Sequence, residues 1–209
     1  KPADYVLSQT TDWLPQGVTL IEEAAAAIDP QAKTVSTESG QRLDYDFLVV
    51  APGLVQDHAA IEGFSLDMVG QNGIGALYAG PQYAAKTWEA AHEFTEEGGI
   101  GLFTRPATEM KCAGAPLKHT FLIDDIASRG GAKGKYETHY ACPQQVLFSV
   151  PIVSEKVRML FGERKITPHY GQTLTAIDAG AKRATFATMI TDPVTGAVVK
   201  STTEMPYDY

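Results

Sequence analysis

The spacing of apolar residues changes along this chain, and each change predicts a different element. Residues 18–21 and 34–37 read as short strands rich in β-branched side chains. Asp29-Pro30 punctuates a turn between them, and residues 38–41 form a second turn. The unbroken apolar run 47–51 predicts a strand buried on both faces, as in a parallel sheet, closed by Pro52-Gly53. The run 24–27 is helix-prone and stands where a strand is otherwise expected.

From residue 81 the period becomes helical. Pro81 suits a first turn, Ala84, Thr87, Trp88, Ala91 and Phe94 share a face, and Gly98-Gly99 stops the helix. A strand at 100–104 and a loop at 105–115 come next. Pro116 opens a second helix with Leu117, Phe121, Leu122 and Ile126 on its apolar face, closed by Gly130-Gly131. A strand at 137–141, a helix at 151–161 carrying Val153, Val157, Leu160 and Phe161 and capped by Gly162, and strands at 166–170 and 174–178 follow. Residues 183–189 and 198–199 add β structure around a turn at Asp192-Pro193 and Thr195-Gly196. The β-α-β-α-β order from residue 100 is that of an α/β sheet with helix crossovers. The polar turn leading into Tyr45-Asp46-Phe47 is echoed at Tyr207-Asp208-Tyr209. The second copy stops where a core strand is expected, and the first residue is not Met, so the sequence reads as an internal piece of a longer protein.

Composition narrows the function. Hydrophobic residues are 44% of the 209 and charged residues 20%, enough for a sizeable core. A formal net charge of -8 argues against nucleic acid as a partner, which needs a basic face. No apolar run is long enough to span a bilayer, and the start lacks a secretory h-region. Two cysteines exclude a disulfide scaffold. His139 and Cys142 have no second ligand pair at zinc spacing, so no metal is expected. The histidines at 58, 92, 119, 139 and 169 are scattered without triad spacing; His119 lies one turn from Pro116 and reads as a helix-surface residue or a modulator of Cys112.

Gly-x-Gly-x-x-Gly is absent after the 100–104 strand, where a dinucleotide-binding unit presents it. Gly99-Ile100-Gly101 precedes that strand's core, and Gly73-Ile74-Gly75 fails likewise. The slot holds a longer loop with Pro106, Cys112 and Pro116. A cysteine just before a helix N-terminus, beside Lys111, is favoured as thiolate, the nucleophile of disulfide exchange and persulfide chemistry. Gly114, Ala113 and Ala115 are small enough to let another group approach. Cys142, at a strand end before Pro143, reads as a structural thiol.

Two stretches carry a family resemblance. Residues 40–53, with Tyr45-Asp46, Leu48-Val49 and Ala51-Pro52-Gly53, are similar to a segment of flavoproteins with two dinucleotide-binding domains. Residues 104–118, centred on Lys111-Cys112-Ala113-Gly114-Ala115-Pro116, resemble the redox-cysteine loop of the sulfide:quinone oxidoreductases, and Trp88 with the 98–103 approach fits the same pattern. The resemblance implies an α/β, Rossmann-like (FAD/NAD(P)-binding-like) fold with helix crossovers plus a β-rich segment from a truncated FAD domain. Residues 1–80 would be the partial FAD-binding domain and 81–209 the second, NAD-binding-like domain carrying the cysteine. It also implies that the parent protein oxidises sulfide through a persulfide and FAD, passing electrons to a quinone. Cys112 would be one bridge cysteine, its usual partner lying C-terminal to Tyr209. Ala51, Pro52 and Gly53 match a turn near the flavin, and Ala25 a backbone contact to its adenine part. The parent would sit peripherally on a membrane, of the bacterial inner-membrane type, as a possible homo-oligomer, while this piece alone would be soluble, inactive and without FAD. Alternatives are a flavocytochrome c sulfide dehydrogenase-like or NADH:quinone reductase-like flavoprotein, the latter disfavoured by the missing glycines, and a non-catalytic interaction domain on a flavoprotein-derived fold.

Overall fold

A computed structural model describes residues 5, 7–108, 110–191 and 198–209. The turn expected at 192–196 lies outside the described residues. The chain forms two compact units, 1–55 and 56–209.

In the first unit three strands pair antiparallel: β1 (Ala25–Asp29), β2 (Thr34–Thr37) and β3 (Arg42–Asp44). The Asp29 carboxylate accepts from the backbone N–H groups of Gln31 and Ala32, which folds the β1–β2 turn back on itself. Two expectations fail here. The strand lies at Ala25–Asp29 and not at 18–21, which is irregular with Val18 51% exposed. Pairing with β2 thus overrides the helical preference of the alanine run, as tertiary context commonly does. Residues 47–51 form no strand, and Phe47 is 95% and Val49 88% exposed. Apolar β-branched sequence suits a buried strand, but the strand forms only where neighbours take up its backbone groups. Among the described residues 47–51 have none.

The second unit has three layers. The middle one is a parallel sheet of β4 (Gly99–Thr104), β5 (Tyr136–Cys142) and β6 (Thr167–Tyr170). The crossovers are α2 (Ala115–Arg129) and α3 (Pro151–Arg164), and α1 (Pro81–Glu97) leads into β4. One face packs on the helices through Phe94, Phe103, Leu117, Ile123, Tyr140, Cys142, Val157 and Phe161. The other face presents Ala141 and Leu102 to an antiparallel sheet of β7 (Gln172–Asp178), β8 (Arg183–Thr191) and β9 (Val198–Pro206), closed by Phe186, Ile74 and Tyr207.

On α1, Thr87, Ala90, Ala91, Phe94 and Thr95 are buried, whereas Trp88 is 47% exposed and stacks on His92. On α2 the buried stripe runs through Leu117, Thr120, Ile123, Asp124 and Ala127, leaving Leu122 63% exposed. The helix α3 continues past Gly162 to Arg164 and ends on Lys165 in the left-handed region, φ 61°. Both Gly98 and Gly99 have positive φ (96° and 100°), and a side chain there would run into the Lys135 carbonyl or the Asp208 carboxylate. That close approach lets Asp208 accept from Ile100 N–H at 2.9 Å. The Tyr209 N–H donates to Ile100 C=O (3.1 Å) and its C=O accepts from Leu102 N–H (2.6 Å), the pattern of a parallel pair on the free edge of β4. The echo seen at 207–209 therefore does run into the core sheet. No helix among the described residues is long and apolar enough to cross a membrane.

Candidate functional site: the Cys112 loop

The loop after β4 reaches α2 at the carboxyl end of the parallel strands, the side on which open α/β sheets bind ligands. Residues 113–114 make a turn, with Ala115 N–H donating to Cys112 C=O (2.8 Å) and Lys118 N–H to Gly114 C=O (3.0 Å). The turn holds Cys112 three residues ahead of α2, exposed and unbonded, beside exposed Lys111. Pro116 occupies the first turn, where its missing N–H costs no helix bond. Gly114 lies at φ -83°, and a side chain there would meet only Phe148 at 3.8 Å, so the approach is open without strained backbone.

The other cysteine has a different setting. Cys142 ends β5 with no exposure, its thiol donates to Gln144 C=O at 3.4 Å, and burial pushes its pKa up to about 11. Cys112 and Cys142 are both free and are not joined to each other.

His119 is not a helix-surface residue. Its Nε2 hydrogen-bonds with the Tyr209 hydroxyl at 2.7 Å, and its ring meets the Phe103 ring edge-on at 5.4 Å between centroids. Burial pushes its pKa down to about 4, so the imidazole is neutral near pH 7. Burial likewise raises the Tyr209 hydroxyl beyond its ordinary range. Sequence spacing gave no sign of this contact across 90 residues.

Nor did it join His139 to His169. Their Nδ1 and Nε2 atoms lie 2.9 Å apart on adjacent strands, and His139 Nε2 meets the Glu137 carboxylate at 3.2 Å. The five "scattered" histidines thus include one paired set, detectable only once β5 and β6 are known to be neighbours. No group of three or more His, Cys, Asp or Glu among the described residues is arranged to hold a metal.

The residues expected to face a flavin, Ala25, Ala51, Pro52 and Gly53, lie in the first unit, all exposed, with Gly53 at φ 83°. They offer backbone groups and one turn.

No family model matches the chain. It is 29% identical to the mitochondrial sulfide:quinone oxidoreductase of Dictyostelium discoideum over 180 residues, 85% of this chain and 38% of that protein. The mouse (Mus musculus) mitochondrial sulfide:quinone oxidoreductase is 28% identical over 190 residues, 89% of this chain and 40% of that one. The solved structure of the sulfide:quinone oxidoreductase from Aquifex aeolicus superposes with a TM-score of 0.61 at 22% identity, over 90% of this chain and 41% of that chain. The last likeness shows the fold. The chain spans about two-fifths of the length of the curated relatives it matches.

Proposed function

We propose, on the premise that this chain is a relative of the sulfide:quinone oxidoreductases over most of its length, that Cys112 is the atom that takes up substrate sulfur. Residues 1–80 then belong to the flavin-binding side of the parent protein, and residues 81–209 to the nucleotide-like domain that bears the cysteine. The observation that carries the reading is an exposed sulfur at the head of α2. Dinucleotide-binding relatives of this fold place a phosphate loop there. The end of the next strand supports it. Where such a unit presents the acid that holds a ribose hydroxyl, this chain has Cys142, Pro143 and Gln144.

The step assigned to Cys112 is a thiol–disulfide exchange. Hydrosulfide attacks the Cys112 sulfur of a disulfide made with a second thiol. The old S–S bond breaks and the new one leaves a persulfide on Cys112. The partner sulfur departs as thiolate with the electron pair. In the parent protein that pair would pass to FAD and on to a quinone at a membrane surface. Two of the proteins named above are mitochondrial and the third is from a bacterium, so nothing singles out a bacterial inner membrane.

The test starts from the chain with Cys112 capped as a thiopyridyl disulfide. Hydrosulfide should release thiopyridone and leave one extra sulfur on the Cys112 peptide after alkylation and mass spectrometry, and Cys112→Ser should show neither. Recovery of Cys112 as a bare thiol, or extra sulfur on Cys142 alone, refutes the assignment.

A further inference from the structure

At the carboxyl ends of β4 and β5 three neighbouring side chains carry buried polar atoms that lack partners. Arg105 directly follows β4, anchored by its N–H to Ala141 C=O at 3.1 Å. Its Nε is buried without an acceptor, and no carboxylate among the described residues pairs with its guanidinium. Tyr140 has no exposure, and its ring packs edge-on to Phe161 at 5.6 Å while its hydroxyl has no partner. Gln144 Oε1 is a third buried orphan, on the residue whose carbonyl accepts the Cys142 thiol. The Arg105 charge reaches both the Tyr140 hydroxyl and the Cys142 thiol and pulls each down, yet burial dominates and keeps both protonated. Neither can therefore serve as its counter-ion. Buried polar atoms are normally satisfied by protein, water or a bound ion.

We infer that Arg105, Tyr140 and Gln144 form a site for a small monoanion that retains a proton. Arg105 Nε–H and the Tyr140 O–H donate to the anion, and Gln144 Oε1 accepts its proton. Hydrosulfide has this pattern of one negative acceptor and one donor. Choosing it rests on the function proposed above, because Arg105 is also the first residue of the Cys112 loop. The anion site itself stands without that reading.

The full chain carrying Cys112→Ser, which removes persulfide chemistry, is titrated by calorimetry without oxygen, once with sodium hydrosulfide and once with sodium bromide. Both should bind with a Kd on the order of 1 mM or tighter. Arg105→Gln should weaken both about tenfold or more, since a charged hydrogen bond is lost. Gln144→Leu should weaken hydrosulfide and leave bromide unchanged, because bromide has no proton to donate. Arg105→Lys, which keeps the charge, and circular dichroism of every variant separate loss of the site from loss of the fold. Equal binding by Arg105→Gln, or density for ordered water only at high bromide, overturns the inference. Anion binding intact while Cys112 fails to form a persulfide would sink the sulfur-transfer reading and leave the site standing.

Discussion

The His119–Tyr209 contact makes stability depend on pH in a direction fixed by burial. His119 has an ordinary pKa of 6.5, lowered to about 4 in the folded chain, with burial as the cause. The folded state therefore prefers the neutral ring, and between pH 6.5 and 4 the unfolded chain binds more protons. Stability rises with pH wherever the unfolded state holds more protons, so the His119 contribution is present above pH 6.5 and is lost progressively as pH falls toward 4. A gap of about 2.5 pH units corresponds to about 3 kcal/mol. The assay is urea unfolding at intervals from pH 7.5 to 4.5 on the parent chain and on His119→Gln. The difference between the two curves isolates this residue from the carboxylates that titrate lower in the same range. The parent should lose about 2.5 kcal/mol more than the variant across that window, which ends before the folded-state titration is complete. Parallel curves, or a steeper loss in His119→Gln, would refute the claim that His119 is held neutral by burial.

Limited alkylation should modify Cys112 before Cys142. The rise from 9.0 to about 11 cuts the Cys142 thiolate about a hundredfold, and its greater basicity returns at most about tenfold in reactivity, leaving about a tenfold deficit before its complete burial is counted. Equal labelling of the two by limiting iodoacetamide, read by mass spectrometry, would contradict it. Asp124 is 2% exposed and takes the Thr138 hydroxyl at 3.0 Å and Arg164 at 3.1 Å, joining α2, β5 and α3. Asp124→Ala should cost about 3 kcal/mol in urea unfolding, toward the low end for a broken buried pair because Arg164 can regain water; a cost under about 1 kcal/mol would show the carboxylate is not structural. The purified chain should carry flavin well below one per chain, since it has no Gly-x-Gly-x-x-Gly loop, and stoichiometric flavin absorbance would overturn that.

The α/β half was largely legible. Helical periodicity and the Pro and Gly punctuation around residues 81, 98, 116 and 130 mark elements whose bonds are local, so the sequence carries their signals directly. The buried faces were less so. Trp88 and Leu122 fit an apolar stripe yet face outward, because a stripe says where burial is possible and packing against β4 and β5 selects which edge of it is covered. The first unit was read least well, since 47–51 depends on strands the described residues do not supply.

For the site, the sequence by itself determined that a cysteine stands between a core strand and a helix, because the order strand–loop–helix and the residue types are properties of the chain alone. Only the tertiary structure decided that Cys112 is exposed while Cys142 is sealed, that His119 is neutral against a tyrosine 90 residues away, and that Arg105 shares its strand end with unpartnered Tyr140 and Gln144. Exposure, proton affinity and orphaned polar groups depend on the dielectric and on neighbours distant in sequence, and those exist only once the layers have packed.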